Sequence, residues 1–297
     1  MPLWQTVCDK ENGGEVMTLG RTAFFGFALL STASILPATT LRETPILTFP
    51  PALTRTINLV PTERVPDSQG EVRIAAAGTM TGIDVQLDDM RPAALFGGDY
   101  NTYVLWAVSA KGEVHNLGEF ILEGDRSRLH TSTRLNTFGM IITAEPHFLV
   151  SSPSAFVVFE VRPEKAGRII RYPVFEGVYN FERSCLSNVK KAKGLVQTEV
   201  KQAFTAFQLA QRAGANELAK DELIQAEHSL DGIVTLLHRG VSRNEIAALA
   251  RETVRLAVAA QHLAQDRAFS ALDSEGKARE EETAWGDRPA IKEAYRR

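Results

Sequence analysis

The sequence predicts an α+β chain of two domains, an immunoglobulin-like antiparallel β-sandwich followed by an antiparallel three-helix bundle. Three observations carry this expectation. Apolar residues alternate with period two over residues 41–165. They recur at spacings of three and four over residues 187–272. Between the two patterns, Gly167, Pro173 and Gly177 mark residues 166–186 as a linker.

Composition narrows the class before any motif is considered. The chain has 297 residues, 33 Lys plus Arg against 36 Asp plus Glu, and a formal net charge of −3. That balance provides no field to capture nucleic acid, so no nucleic-acid partner is expected. Two cysteines, Cys8 and Cys185, exclude a disulfide framework and a four-cysteine zinc site.

Residues 1–40 read as a secretion signal behind an N-terminal extension. Arg21 precedes an uncharged apolar run, Ala23 to Leu36, which small residues and Pro37 follow. Extended back to Leu19, the run has 18 residues and includes Arg21. A spanning helix needs about 20 apolar residues. Residues 1–16 carry three acidic side chains and one lysine, unlike a basic leader, and Met17 is the better start. Cleavage between Ser34 and Thr40 would remove Cys8. An uncleaved anchor over residues 19–36 is the alternative.

The sandwich strands follow from alternation. Val72, Ile74 and Ala76 alternate with Glu71, Arg73 and Ala75, and Ile83, Val85 and Leu87 with Asp84, Gln86 and Asp88. Each is a strand with one wet face. In Tyr103 to Val108 both faces are apolar, so this strand belongs at the centre. Lys111-Gly112 turns the chain, and Val114 to Leu122 returns as a hairpin partner. Phe138 to Ala144 and Phe156 to Val161 supply two more strands. About seven short strands separated by turn residues make the immunoglobulin-like expectation.

Several of these residues resemble a known family. Tyr103-Val-Leu-Trp106, the Lys111-Gly112 turn, Leu117-Gly-Glu-Phe120, Thr143-Ala-Glu-Pro146 and Ser152-Pro153 look like the extracytoplasmic domain of anti-sigma-K factors. The resemblance implies a β-sandwich outside the cytoplasmic membrane. Only about 20 residues precede the apolar run, too few for a sigma-binding domain, so it extends to the fold and not to sigma binding.

The helical half reads in order. Val196, Val200, Ala203, Phe207 and Ala210 predict an amphipathic helix over Val189 to Arg212, with Gly214 as its stop. Asn216 caps a second helix whose seam is Ala219, Leu223, Ala226, Leu230, Ile233 and Leu237, ended by His238-Arg239-Gly240. Ser242 and Glu245 form a capping box for a third, with Leu249, Leu256 and Leu263 at heptad spacing. Short connections make neighbours antiparallel. This part also resembles alanine-rich helical modules of unassigned function in bacterial envelope proteins. Such modules often precede a peptidoglycan-binding domain. None follows within these residues, which makes peptidoglycan a secondary candidate ligand. Residues 273–297 hold 13 charged side chains and read as a disordered tail, with a continuing helix as competitor.

Local motifs for catalysis, nucleotides or metals are absent. His115, His130, His147, His228, His238 and His262 are scattered, and none pairs at helical ligand spacing. Asp84, Asp88, Asp89 and Asp99 would suit calcium at a sandwich end, but a solvated strand face explains them more simply. Trp106 and Tyr103 would stack on sugar if exposed, and their apolar strand places them in the core. Cys185, beside Arg183, reads as a passive thiol. No catalytic, cofactor-binding or metal residues are expected.

The functional expectation is therefore a secreted or periplasmic, non-catalytic envelope protein. Its sandwich would bind or dock, and its bundle would associate with an envelope protein or with itself. A membrane-anchored envelope sensor or regulator is the alternative if residues 19–36 are retained. A hydrolase assembled without a local motif is a third class.

Overall fold

The computed structural model describes residues 38–97, 99–162, 168–176 and 197–286. The expectations for the signal segment, Met17, Cys8, Arg183, Cys185, Gly167, Gly177, Val189, Val196 and residues 287–297 lie outside them. The chain is α+β and divides in sequence into two compact units between Gln202 and Ala203.

Eleven strands are described in the first unit. They are β1 (Ala38–Pro45), β2 (Leu47–Thr48), β3 (Thr54–Pro61), β4 (Gln69–Ala77), β5 (Met80–Asp88), β6 (Thr102–Ser109), β7 (Val114–Phe120), β8 (Ser127–Thr133), β9 (Thr137–Glu145), β10 (Val157–Val161) and β11 (Ile169–Glu176). A 3-10 turn, Ala93–Phe96, precedes β6. Nine strands form one antiparallel sheet in the order β7-β6-β9-β10-β3-β4-β5-β8, with β2 added beside β9. The outer strands β7 and β8 approach each other, so the sheet curls toward a barrel.

The alternating strands β4 and β5 turn Val72, Ile74, Ile83, Val85 and Leu87 into the interior, as their period predicts. The two-faced strand β6 sits between β7 and β9. Its Tyr103, Leu105 and Ala107 enter the core inside the curled sheet, with Phe49, Phe138 and Phe159. Its Val104, Trp106 and Val108 face outward, yet they are buried under Tyr172 and Val174 of β11.

That second core corrects the expected linker. Residues 169–176 are a strand, paired along its whole length with β1 from Ala38↔Glu176 to Pro45↔Ile169. The glycines and Pro173 suggested a boundary, but Tyr172 and Val174 alternate and find an apolar face to cover. Pro173 is tolerated because a two-stranded ribbon leaves one side of each strand unpaired. The ribbon runs so close to the sheet that a Cβ on Gly139 would meet the Pro45 carbonyl at 2.7 Å and Thr44 Cγ2 at 2.8 Å. Gly112, at φ +87°, leaves room for the Arg171 carbonyl, 2.5 Å from where a Cβ would stand.

The helices are α1 (Thr198–Arg212), α2 (Ala215–Leu218), α3 (Lys220–Arg239) and α4 (Arg243–Gly286). Gly214 and Gly240 are left-handed, at φ +83° and +68°, and they close α1 and α3. The expected second helix is interrupted: Ala219, at φ −144° and ψ 46°, separates α2 from α3. Ser242 Oγ accepts the Glu245 N–H at 3.3 Å, as the capping box predicts.

In the second unit α3 and α4 pair closely. Leu223, Ala226, Leu230 and Ile233 of the predicted seam are buried, and Leu237 is half-buried. In α4 the buried stripe is Ile246, Ala250, Val254, Ala257, Ala260 and Ala264, whereas the heptad leucines 249, 256 and 263 lie half-buried at its flank. Alanines along the contact line let two helices approach closely, and the leucines then cover the seam from the side. The helix also continues beyond residue 272 to Gly286, where a tail was expected. An Asp273–Lys277 pair at 2.7 Å, one helical turn apart, supports the extension.

Candidate functional site

A strongly perturbed carboxyl is Glu145, the last residue of β9, and its position follows from strand register. Thr102 of β6 lies opposite Glu145 and Val104 opposite Thr143. Residues 143 and 145 share one face of β9, so Thr143 sits between Trp106 and Glu145. The Trp106 indole N–H donates to Thr143 Oγ1 at 2.8 Å. The Thr143 hydroxyl donates in turn to Glu145 Oε1. The Ser154 backbone N–H donates to the same oxygen at 2.7 Å. Ser154 Oγ then donates to the Ala144 carbonyl at 2.9 Å, tying the approach to β10 back onto β9.

Trp106, Thr143 and Glu145 are each 0% exposed and Ser154 is 1% exposed. Glu145 Oε2 meets no hydrogen-bond donor among the described residues. Burial pushes the Glu145 carboxyl up to about 8, despite the opposing effect of the Ser154 and Thr143 bonds. The group therefore carries its proton through most of the neutral range. A neutral carboxylic acid in a sealed site ties segments together at small desolvation cost, whereas a charged one would need a counter-ion.

Around this network the loop before β6 is stitched to the end of β9. The Asn101 N–H donates to the Glu145 carbonyl at 2.9 Å, and Asn101 Nδ2 donates to the carbonyls of Asp99 at 3.0 Å and Pro146 at 2.9 Å. Tyr100 and Phe96, both half-buried, lie against Phe156, with ring centroids 4.7 Å and 4.8 Å from it. The Arg64 guanidinium stands 4.1 Å over the Phe156 ring and donates to the Ala155 carbonyl at 2.8 Å. Burial raises the Tyr100 phenol, with Glu145 as the next cause. The arrangement is a closed acid beneath a half-buried aromatic cluster with a cationic rim.

The residues singled out in the sequence are dispersed. His115, His228, His238 and His262 are exposed, His147 is buried, and His130 Nδ1 stands 3.3 Å from Asp84 Oδ1. Asp88 pairs with Arg126 at 3.1 Å, Asp89 follows β5 at φ +57°, and Asp99 is buried on another segment. No group of three metal-ligating side chains occurs among the described residues. Tyr103 is buried with its hydroxyl donating to the Arg91 carbonyl at 2.6 Å, so neither it nor Trp106 presents a face to a sugar. A shallow depression of about 470 Å³, lined by Asn58, Gln69, Glu71, Gln86 and Asp88 among others, contains none of the Glu145 network.

In the sequence Glu145 stands only within the Thr143-Ala-Glu-Pro146 resemblance, with no local pattern that marks a site. The available signal was an ionisable residue two positions after Thr143 at the end of an apolar strand. The structure gathers Trp106, Thr143 and Glu145, all within the quoted motifs, into one hydrogen-bonded chain. No family model, curated protein or solved structure matches this chain.

Proposed function

We propose that this is a secreted or periplasmic, non-catalytic envelope protein. In this reading an immunoglobulin-like sandwich recognises or docks a partner, and an antiparallel three-helix bundle associates with an envelope protein or with itself. The observation that carries it is the enclosure of Glu145. A carboxyl raised into the neutral range is held by internal hydrogen bonds and has no exposed surface. The surface above it offers the aromatic cluster of Phe96, Tyr100 and Phe156 with Arg64 at its rim, the composition favoured at recognition surfaces. Peptidoglycan is the secondary candidate ligand.

A second reading, an envelope sensor or regulator anchored by residues 19–36, draws on the uncharged run Ala23 to Leu36. Among the described residues, no helix is long and apolar enough to cross a membrane. Fractionation of the native host with N-terminal sequencing separates the readings. Secretion predicts envelope protein that begins between Ile35 and Leu41. A start at or before Ala38 leaves β1 whole, because Ala38 pairs with Glu176. Membrane protein that retains residues 19–36 favours the anchor. Cytosolic protein with Met1 or Met17 intact overturns both.

A further inference from the structure

The far half of α4 bears on what the bundle associates with. Ser229 Oγ lies 2.7 Å from Thr253 Oγ1, and Gly232 lies beside Leu249, which fixes the antiparallel register of α3 and α4. In that register Lys220, where α3 begins, comes level with about residue 262 of α4. The short helix α2 reaches slightly further, since Arg267 Nη1 donates to the Leu218 carbonyl. Beyond Arg267, α4 continues to Gly286. At 1.5 Å per residue this overhang is about 28 Å long. A helix of that length is marginal in water without a packed face.

The overhang carries such a face. Phe269 and Leu272 are each 60% exposed, and Gly276 continues their stripe at spacings of three and four. A Cβ on Gly276 would meet nothing within 4 Å, so the helix surface there is open to a close neighbour. Charge of both signs stands beside it, with Asp273 and Lys277 one turn apart, Glu275 between them, and Arg279 and Glu280 to Glu282 beyond.

We propose that this overhang docks a second copy of the same chain, antiparallel, across a two-fold axis near Glu275. The proposal rests on the reading that the bundle associates, and it adds the partner and the surface. An antiparallel copy brings Asp273 of each chain level with Lys277 of the other, so the Asp273–Lys277 pair within each helix gains a reciprocal pair between helices. It also sets Leu272 of each chain level with residue 278 of the other, about half a turn past Gly276. A parallel copy would instead place Asp273, Glu275 and Lys277 each against its like, whereas the antiparallel copy leaves only Glu275 level with Glu275. The antiparallel pairing is isologous and closes at two chains.

The test is sedimentation of the full mature chain with cross-linking. The wild type is expected to be a dimer, and Phe269→Glu with Leu272→Glu is expected to weaken dimerisation by at least tenfold with unchanged helicity. In a Cys185→Ser background, a mixture of Asp273→Cys and Lys277→Cys chains should form disulfide-linked dimers faster than either alone. A dimer unaffected by the glutamates, or one that cross-links best between identical positions, overturns the proposal and leaves the associating bundle standing. A chain that stays monomeric yet captures an envelope protein through the bundle also overturns it. A monomer that captures nothing overturns the broader reading as well.

Discussion

Trp106 and Thr143, on adjacent antiparallel strands, are joined by an indole N–H that donates to the threonine hydroxyl oxygen at 2.8 Å, inside a layer to which water has no access. The same hydroxyl spends its proton on Glu145, so one side chain satisfies two others. Thr143→Val keeps the shape and removes both bonds. A buried donor left without its acceptor costs about 1–3 kcal/mol. The expected outcome is a loss of that size in urea unfolding at pH 6, with a further rise of the Glu145 carboxyl because one bond that stabilises its charged form is gone. Unfolding followed by tryptophan fluorescence checks it.

Gly139 makes a prediction about the β1–β11 ribbon. Its missing Cβ leaves room for Thr44 and Pro45, so Gly139→Ala should push β1 away from β9. Overpacking of this kind costs roughly 1–3 kcal/mol. Gly82→Ala, where a Cβ would meet only the Ala75 carbonyl at 3.5 Å, serves as the control and should stay within about 0.5 kcal/mol. Hydrogen exchange should show faster opening of Leu41 to Thr44 in the first variant and not in the second.

Leu230 tests the helix pair. It is 0% exposed in the middle of α3, on the face that meets α4. Leu230→Ala should cost about 2–5 kcal/mol. His228→Ala, on the exposed face of the same helix, should stay within about 0.5 kcal/mol. Circular dichroism at 222 nm through a thermal ramp measures both.

Patterns that depend on one element were legible in the sequence. The alternation in β4 and β5, the seam from Leu223 to Ile233, the glycine stops at 214 and 240 and the Ser242 cap each follow from a local rule. What was not legible depends on two distant segments. Residues 169–176 read as a linker because their partner, β1, lies more than a hundred residues earlier and their apolar face is explained only by Trp106 and Val108. The leucines 249, 256 and 263 read as the seam because periodicity reports a stripe but not its centre. The break at Ala219 has no sequence mark, since alanine favours helix. Glu145 was visible as a letter within a motif, but its proton is set by enclosure, which only the fold supplies.

The central claim, that Glu145 is an internal fastening held in its neutral form, is tested by stability against pH. Its folded value of about 8 lies above the ordinary 4.5, so between those values the folded protein holds a proton that the unfolded chain has released. Stability from this group is therefore fully present below about pH 4.5 and is lost as pH rises toward 8, by roughly 3–6 kcal/mol in all. Glu145→Gln cannot titrate and keeps an oxygen to accept from Thr143 and Ser154. The account predicts that urea unfolding of the wild type weakens from pH 5 to 8, while the difference from Glu145→Gln grows in the variant's favour over the same interval. A difference that does not change with pH, or a Glu145→Gln chain that is less stable at pH 8 than the wild type, would contradict it.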